Sequence, residues 1–207
     1  MMRVDPKREL AGYTARRNVF DEIVVPPRRF AMVDGSGDPN TSDAYRDALA
    51  TLYPFSYALK SIAKRELGRD HVVAPLEALW WADDMASFTT ARDKKAWSWT
   101  VMILVPEGIA EVHTDAARSV AHRKDAPALD RLRIESFDEG LCIQTLHVGP
   151  YDEEGPVLAR LHEQVIPERG FRMRGVHHEI YLGDPRRSAP ERLRTILRQP
   201  VAKDRGR

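Results

Sequence analysis

Gly175-Val176-His177-His178-Glu179-Ile180-Tyr181-Leu182-Gly183-Asp184-Pro185 places a carboxylate, two imidazoles and a phenol in a stretch that otherwise reads as a buried strand. Strand alternation sends His178, Ile180 and Leu182 to one side and His177, Glu179 and Tyr181 to the other. Glu179 and Tyr181 therefore share a face. A carboxylate turned toward a core meets a cation, binds a ligand or works as an acid or base, because burying it alone costs several kcal/mol. An ion pair with Arg186 or Arg187 is the structural alternative to a functional role.

The same pattern occurs earlier. Val73-Ala74-Pro75-Leu76-Glu77-Ala78-Leu79-Trp80-Trp81 again carries a Glu among apolar residues. Around these two stretches the chain reads as a duplication. In the first half, a strand over 30–39 enters a Gly-rich turn. A helical stretch from about Ser42 to Leu67 follows, with Pro54 fitting the first turn of its stronger part. Strands over 72–81 and 96–105 come next. In the second half, a strand over 141–150 enters a Gly-Pro turn, 154–168 gives a helix ended by Gly170, and strands follow over 176–182 and 192–201. A strand-helix-strand-strand unit cannot cover both faces of its own sheet, whereas two packed together can. The expected fold is α+β: duplicated β-α-β-β repeats forming a curved, antiparallel-rich sheet, helices on one face and a ligand cleft between the pseudo-symmetric halves. Residues 1–22 read as a polar amino-terminal arm and 23–207 as a single domain. Its repeats cover about 23–108 and 131–201, and a linker helix covers about 109–130. The tail from Ala202 reads as disordered.

Bulk composition narrows the function. The 207 residues are 30% charged, with 32 Lys and Arg against 31 Asp and Glu, a formal charge of +1. That balance gives no electrostatic footprint for nucleic acid or an anionic membrane. No stretch reaches the roughly 18 apolar residues of a membrane span. One cysteine, Cys142, excludes an internal disulfide and suits a reducing compartment, so the expectation is a cytoplasmic protein.

Four tryptophans fall close together: Trp80, Trp81, Trp97 and Trp99. Alternation puts Trp97 and Trp99 on one face and splits Trp80 from Trp81. Core packing explains any one of them. As a group near a carboxylate, they suit a lipophilic, often cationic, ligand through stacking and attraction to the ring quadrupole. On the first helix, Tyr53, Tyr57 and Lys60 share a face, so Tyr57 is a candidate hydrogen-bond donor.

Other chemistries fit less well. His177 and His178 are adjacent and point to opposite faces, so they cannot chelate one ion together. His147, His177 and Glu179 converge only in a fortunate strand register, and no metal or cofactor is expected. Gly35-Ser36-Gly37 lacks both nucleophile-elbow spacing and the Lys of a phosphate loop.

In order along the chain, Pro26-Pro27, Met32 to Asn40, Leu52-Tyr53 with Tyr57 to Lys60, Pro75 to Trp81 and Trp97-Ser98-Trp99 form a combined signature. It continues through Glu139 to Gln144, His147-Val148-Gly149-Pro150-Tyr151, His177 to Leu182, and Asp184 to Val201. Over nearly the whole chain this resembles the GyrI-like small-molecule-binding domain family in its stand-alone form. The resemblance implies a duplicated, SOUL-like fold. Relatives fused to DNA-binding helices are drug-sensing regulators, and others bind toxins. Here the repeat begins by about Val24, so direct DNA binding is not expected.

Some stand-alone members of that family are hydrolases that open the strained ring of cyclopropanoid alkylators, which implies detoxification and resistance. Glu179 matches the family's acidic residue and Tyr57 its first-helix Tyr. Water-driven ring opening needs a base and a donor to the carbonyl oxygen. The expectation assigns Glu179 as base and Tyr57 as donor, with Tyr181 as its substitute. Trp80, Trp97, Trp99, Tyr181, His147 and Tyr151 are expected around a hydrophobic ligand. A multidrug receptor without turnover remains the alternative, and a protein-inhibiting partner a third. Oligomeric state is left open.

Overall fold

A computed structural model describes residues 3–83 and 93–204. In chain order the elements are β1 (Arg3–Val4), α1 (Pro6–Glu9), β2 (Asp21–Val25), β3 (Arg28–Ser36), α2 (Asp43–Glu66), β4 (Asp70–His71), β5 (Leu76–Trp81), β6 (Ser98–Leu104) and α3 (Glu111–His122). They continue with β7 (Arg133–Phe137), β8 (Gly140–Val148), α4 (Gly155–Ala159), a π-helical turn (Arg160–Val165), α5 (Ile166–Glu168), β9 (Phe171–Met173), β10 (His177–Tyr181) and β11 (Arg194–Lys203). The fold class is α+β, as the sequence predicts. The chain forms two compact units, one of Met1–Glu9, Arg28–Ala74 and Trp81–Phe137, the other of Leu10–Pro27, Pro75–Trp80 and Asp138–Arg207.

In the first unit, β6, β3 and β7 pair antiparallel. α2 packs on β3 and β6 and against α3. Its apolar stripe, Leu52, Phe55, Leu59 and Ile62, is buried. The helix spans the expected stretch, but Pro54 lies in its interior rather than in a first turn. Burial of that stripe offsets the roughly 3 kcal/mol that an internal Pro costs. Ser42 caps the helix by accepting a hydrogen bond from the Tyr45 amide at 3.3 Å. α3 turns Thr114, Ala117 and Ala121 inward, small residues that permit close helix packing. It ends at His122, short of the range expected for the linker helix.

Trp99 fills the hollow above Gly35. Its indole N–H donates to Gly37 O at 3.3 Å and its ring meets Tyr45 edge-on at 5.1 Å. A Cβ on Gly35 would stand 2.2 Å from the Trp99 ring. Gly35→Ala is therefore expected to destabilise the protein by about 1–3 kcal/mol, read as a lower urea midpoint. An unchanged midpoint would contradict this packing.

In the second unit the sheet order is β2-β8-β11-β10-β5, antiparallel throughout, with β9 also pairing β11. β5 comes from the first half of the sequence but pairs with β10, placing Ala78 opposite Glu179 and Trp80 opposite His177. Leu161, Val165 and Ile166 from the helical run pack with Phe20, Ile143 and Val201. Part of the expected polar arm belongs here too: Tyr13 and Phe20 are buried, and Arg17 bridges Leu146. β11 runs through Lys203, beyond the expected start of a disordered tail; residues 205–207 lie outside those described.

Candidate functional site

β10 alternates as the sequence predicts, and register shows what each side meets. On one face, Glu179 has Ala78 and Leu197 as lateral neighbours, and Tyr181 has Leu76 and Thr195. The Trp80 indole N–H donates to the Tyr181 hydroxyl at 3.1 Å, and that hydroxyl donates to Glu179 Oε2 at 2.7 Å. His177 Nε2 stands 3.4 Å from the other carboxylate oxygen, Oε1. The Glu179 side chain keeps 14% of its surface open. Tyr151 meets Tyr181 edge-on at 5.5 Å. Thus Glu179, Tyr181, Trp80 and Tyr151 come together as one aromatic and acidic cluster. Arg186 pairs instead with Asp184 at 2.9 Å.

His147 is set one step back. Its Nε2 lies 3.0 Å from Pro150 O; a carbonyl only accepts, so Nε2 carries the proton. This bond pins the turn that presents Tyr151. β11 lies between β8 and β10, so His147 is two strands away from His177 and Glu179. Among the described residues, no group of three or more His, Cys, Asp and Glu is placed to hold a metal ion.

The remaining expected site residues belong to the first unit. Tyr57 is 56% exposed. It lines a groove of about 500 Å³ between α2 and α3, with Arg65, Arg123 and Lys124 at its rim. Trp99 is fully buried against Gly35 and Tyr45, and Trp97 is half-buried with Lys94 Nζ at 5.9 Å from its ring centroid.

The opposite face of the same sheet holds a buried charge network. His178 lies between two carboxylates, with Nδ1 2.8 Å from Glu139 Oε1 and Nε2 3.0 Å from Glu77 Oε2. Arg198 donates to Glu139 Oε2 at 2.6 Å, to Gln144 Oε1 at 3.1 Å and to Gly12 O at 2.5 Å. The Tyr13 hydroxyl donates to Glu77, and Gln144 donates to Thr14 O at 2.8 Å. Segment 10–14 is thereby tied to the sheet. Burial disfavours the Glu139 carboxylate, but the charges of His178 and Arg198, and their hydrogen bonds, hold its carboxyl at about 2. Burial likewise disfavours the His178 imidazolium, yet the Glu139 charge and hydrogen bonds to Glu139 and Glu77 raise its pKa. The network thus gathers two acidic side chains, an imidazole and a guanidinium behind the sheet. Cys142 is buried nearby, and burial, then the Glu139 charge, pushes its thiol up to about 12, which makes it a poor nucleophile.

Sequence reasoning missed this network because its members come from separate segments. His162, which without a second His four residues on makes no metalloprotease motif, is brought edge-on to His177 at 5.7 Å by the π-helical turn.

The molecule is similar to three solved structures from Listeria innocua. One, an uncharacterized conserved protein, shares 37% identity with a TM-score of 0.86, covering 97% of this chain and all (100%) of that one. Two described as hydrolases share 35% identity at TM-scores of 0.82 and 0.83, with the same coverage. The EcmrR C-terminal domain, 13% identical with a TM-score of 0.54, shares the fold. No curated protein matches the chain. No described helix is long and apolar enough to cross a membrane. The sequence pattern of the GyrI-like small molecule binding domain matches residues 20–202, and the chain belongs to that family.

Proposed function

We propose that this protein binds lipophilic, aromatic or cationic small molecules at the Glu179 cluster and hydrolyses electrophilic cyclopropanoid compounds there, a detoxifying and resistance-conferring activity in the cytoplasm. The observation that carries this reading is the relay from Trp80 through Tyr181 to a partly open Glu179 carboxylate. Similarity to two proteins described as hydrolases supports it.

The chemistry balances within the cluster. Glu179 takes a proton from water as its oxygen bonds to the strained ring carbon. The ring C–C bond breaks and its electron pair passes to the conjugated carbonyl oxygen. The Tyr181 hydroxyl, which donates to Glu179 Oε2 at 2.7 Å before the ring opens, turns to that oxygen, gives it the proton and regains one from Glu179. The Trp80 N–H supports the tyrosinate as charge develops. Water is added overall, and the groups return to their starting state.

Tyr57 and Tyr181 are both candidate donors, and paired variants decide between them. Tyr181→Phe is expected to lower turnover on the order of 10²-fold or more, and Tyr57→Phe by only a few-fold. The reverse order, in steady-state rates followed by mass spectrometry, would move the donor role to Tyr57. The second reading, a receptor without turnover, draws on the aromatic rings of Trp80, Tyr151 and Tyr181 gathered beside a carboxylate, an arrangement that suits a cation.

A further inference from the structure

His177 is the group beside Glu179 that this reaction leaves unused. Its side chain is 8% exposed. Neither ring nitrogen has a hydrogen-bond partner among the described residues, although Nε2 lies 3.4 Å from Glu179 Oε1. A buried nitrogen without a partner is destabilising, so two on one ring call for a reason. His162 Nε2, on the ring packed edge-on against it, is equally buried and unpartnered. Burial, then the neighbouring His177, pushes His162 down to about 3, against the opposing effect of its hydrogen bond to Gln199. His162 is therefore neutral near pH 7. His177 faces Glu179 on its own strand and this neutral ring from the helical run, so His162 brings no positive charge against it. The π-helical turn that delivers His162 is a local irregularity often found at functional sites.

We propose that His177 is a positioning residue for Glu179. With a proton on Nε2, His177 holds Oε1 while Tyr181 holds Oε2. The carboxylate is then fixed between two donors, with lone pairs left for the attacking water. Contacts of this kind are often long in the free protein and tighten when substrate binds. His162 forms the neutral wall behind the imidazole. The proposal rests on the reading of Glu179 as the base.

The test compares wild type with His177→Gln, which keeps a donor, and His177→Phe, which keeps a ring and loses both nitrogens. Positioning losses of this kind reach roughly 10²-fold. His177→Phe is expected to lose 10- to 10²-fold in kcat at an unchanged KM, while His177→Gln stays within a few-fold of wild type. Long-range proton–nitrogen NMR of the wild type is expected to show a proton on His177 Nε2. A bare Nε2, or wild-type kcat in His177→Phe, would overturn the proposal. Should wild type turn over no cyclopropanoid substrate, the hydrolase reading fails, and the NMR measurement still decides whether His177 donates to Glu179. Should His177→Phe fail to fold, His177→Gln and the NMR measurement decide.

Discussion

Glu179→Gln is expected to lower turnover of a spirocyclopropane substrate on the order of 10²- to 10⁴-fold, the range of a lost general base. The change is nearly isosteric. The amide oxygen still accepts from Tyr181, and the Trp80-to-Tyr181 bond is untouched, so the cluster keeps its shape. What disappears is the basic site for the water proton. Binding of a neutral compound, followed by tryptophan fluorescence, is expected to change by only a few-fold, so the loss falls in kcat. A cationic ligand is expected to bind more weakly, because the local negative charge is gone. Wild-type turnover by Glu179→Gln would remove Glu179 from the chemistry.

The second large effect is on stability. Arg198→Met is expected to destabilise the fold by about 3–5 kcal/mol, since it leaves Glu139 buried without one of its cations. The arginine also holds Gln144 and Gly12 O, so the same change frees segment 10–14. Urea unfolding measures the loss; a change below about 1 kcal/mol, typical of an exposed pair, would mean that the network is solvated. Its pH dependence follows from the two shifts. His178 has a raised pKa in the fold, so its contribution is fully present below its ordinary value of 6.5 and declines as pH rises through the folded value. Glu139 is lowered from 4.5 to about 2, so its contribution is present above 4.5 and declines as pH falls toward 2. Among these groups, stability is expected to be greatest between the two ordinary values. In His178→Gln, the alkaline decline assigned to this imidazole should vanish.

The faces of β10 were legible from alternation alone: His177, Glu179 and Tyr181 on one side, His178 on the other. So were the strand-helix-strand-strand runs, because apolar periodicity and Gly or Pro stops mark them locally. Partner identity was not. Glu77 stood out as an echo of Glu179, yet its surroundings are set by register: β5 pairs with β10 so that Glu77 falls opposite Ile180, two residues along from Leu79 and its partner His178 and so on the same face. Helical spacing put Tyr57 on a face with Tyr53 and Lys60 but carried no information that α3 would border it. Trp97 and Trp99 looked alike by alternation. Gly35, far away in sequence, provides the hollow that buries only Trp99. Tyr13 and Phe20 were absorbed into a charged amino-terminal stretch whose average polarity concealed two anchors.

The most direct measurement is mass spectrometry of a spirocyclopropane alkylator incubated with the protein in heavy-oxygen water, beside the Glu179→Gln variant. The account predicts a ring-opened product carrying one solvent oxygen, formed by wild type and reduced to the uncatalysed level by the variant. Unchanged compound with wild type, while tryptophan fluorescence reports its binding, would contradict the hydrolase and leave a receptor.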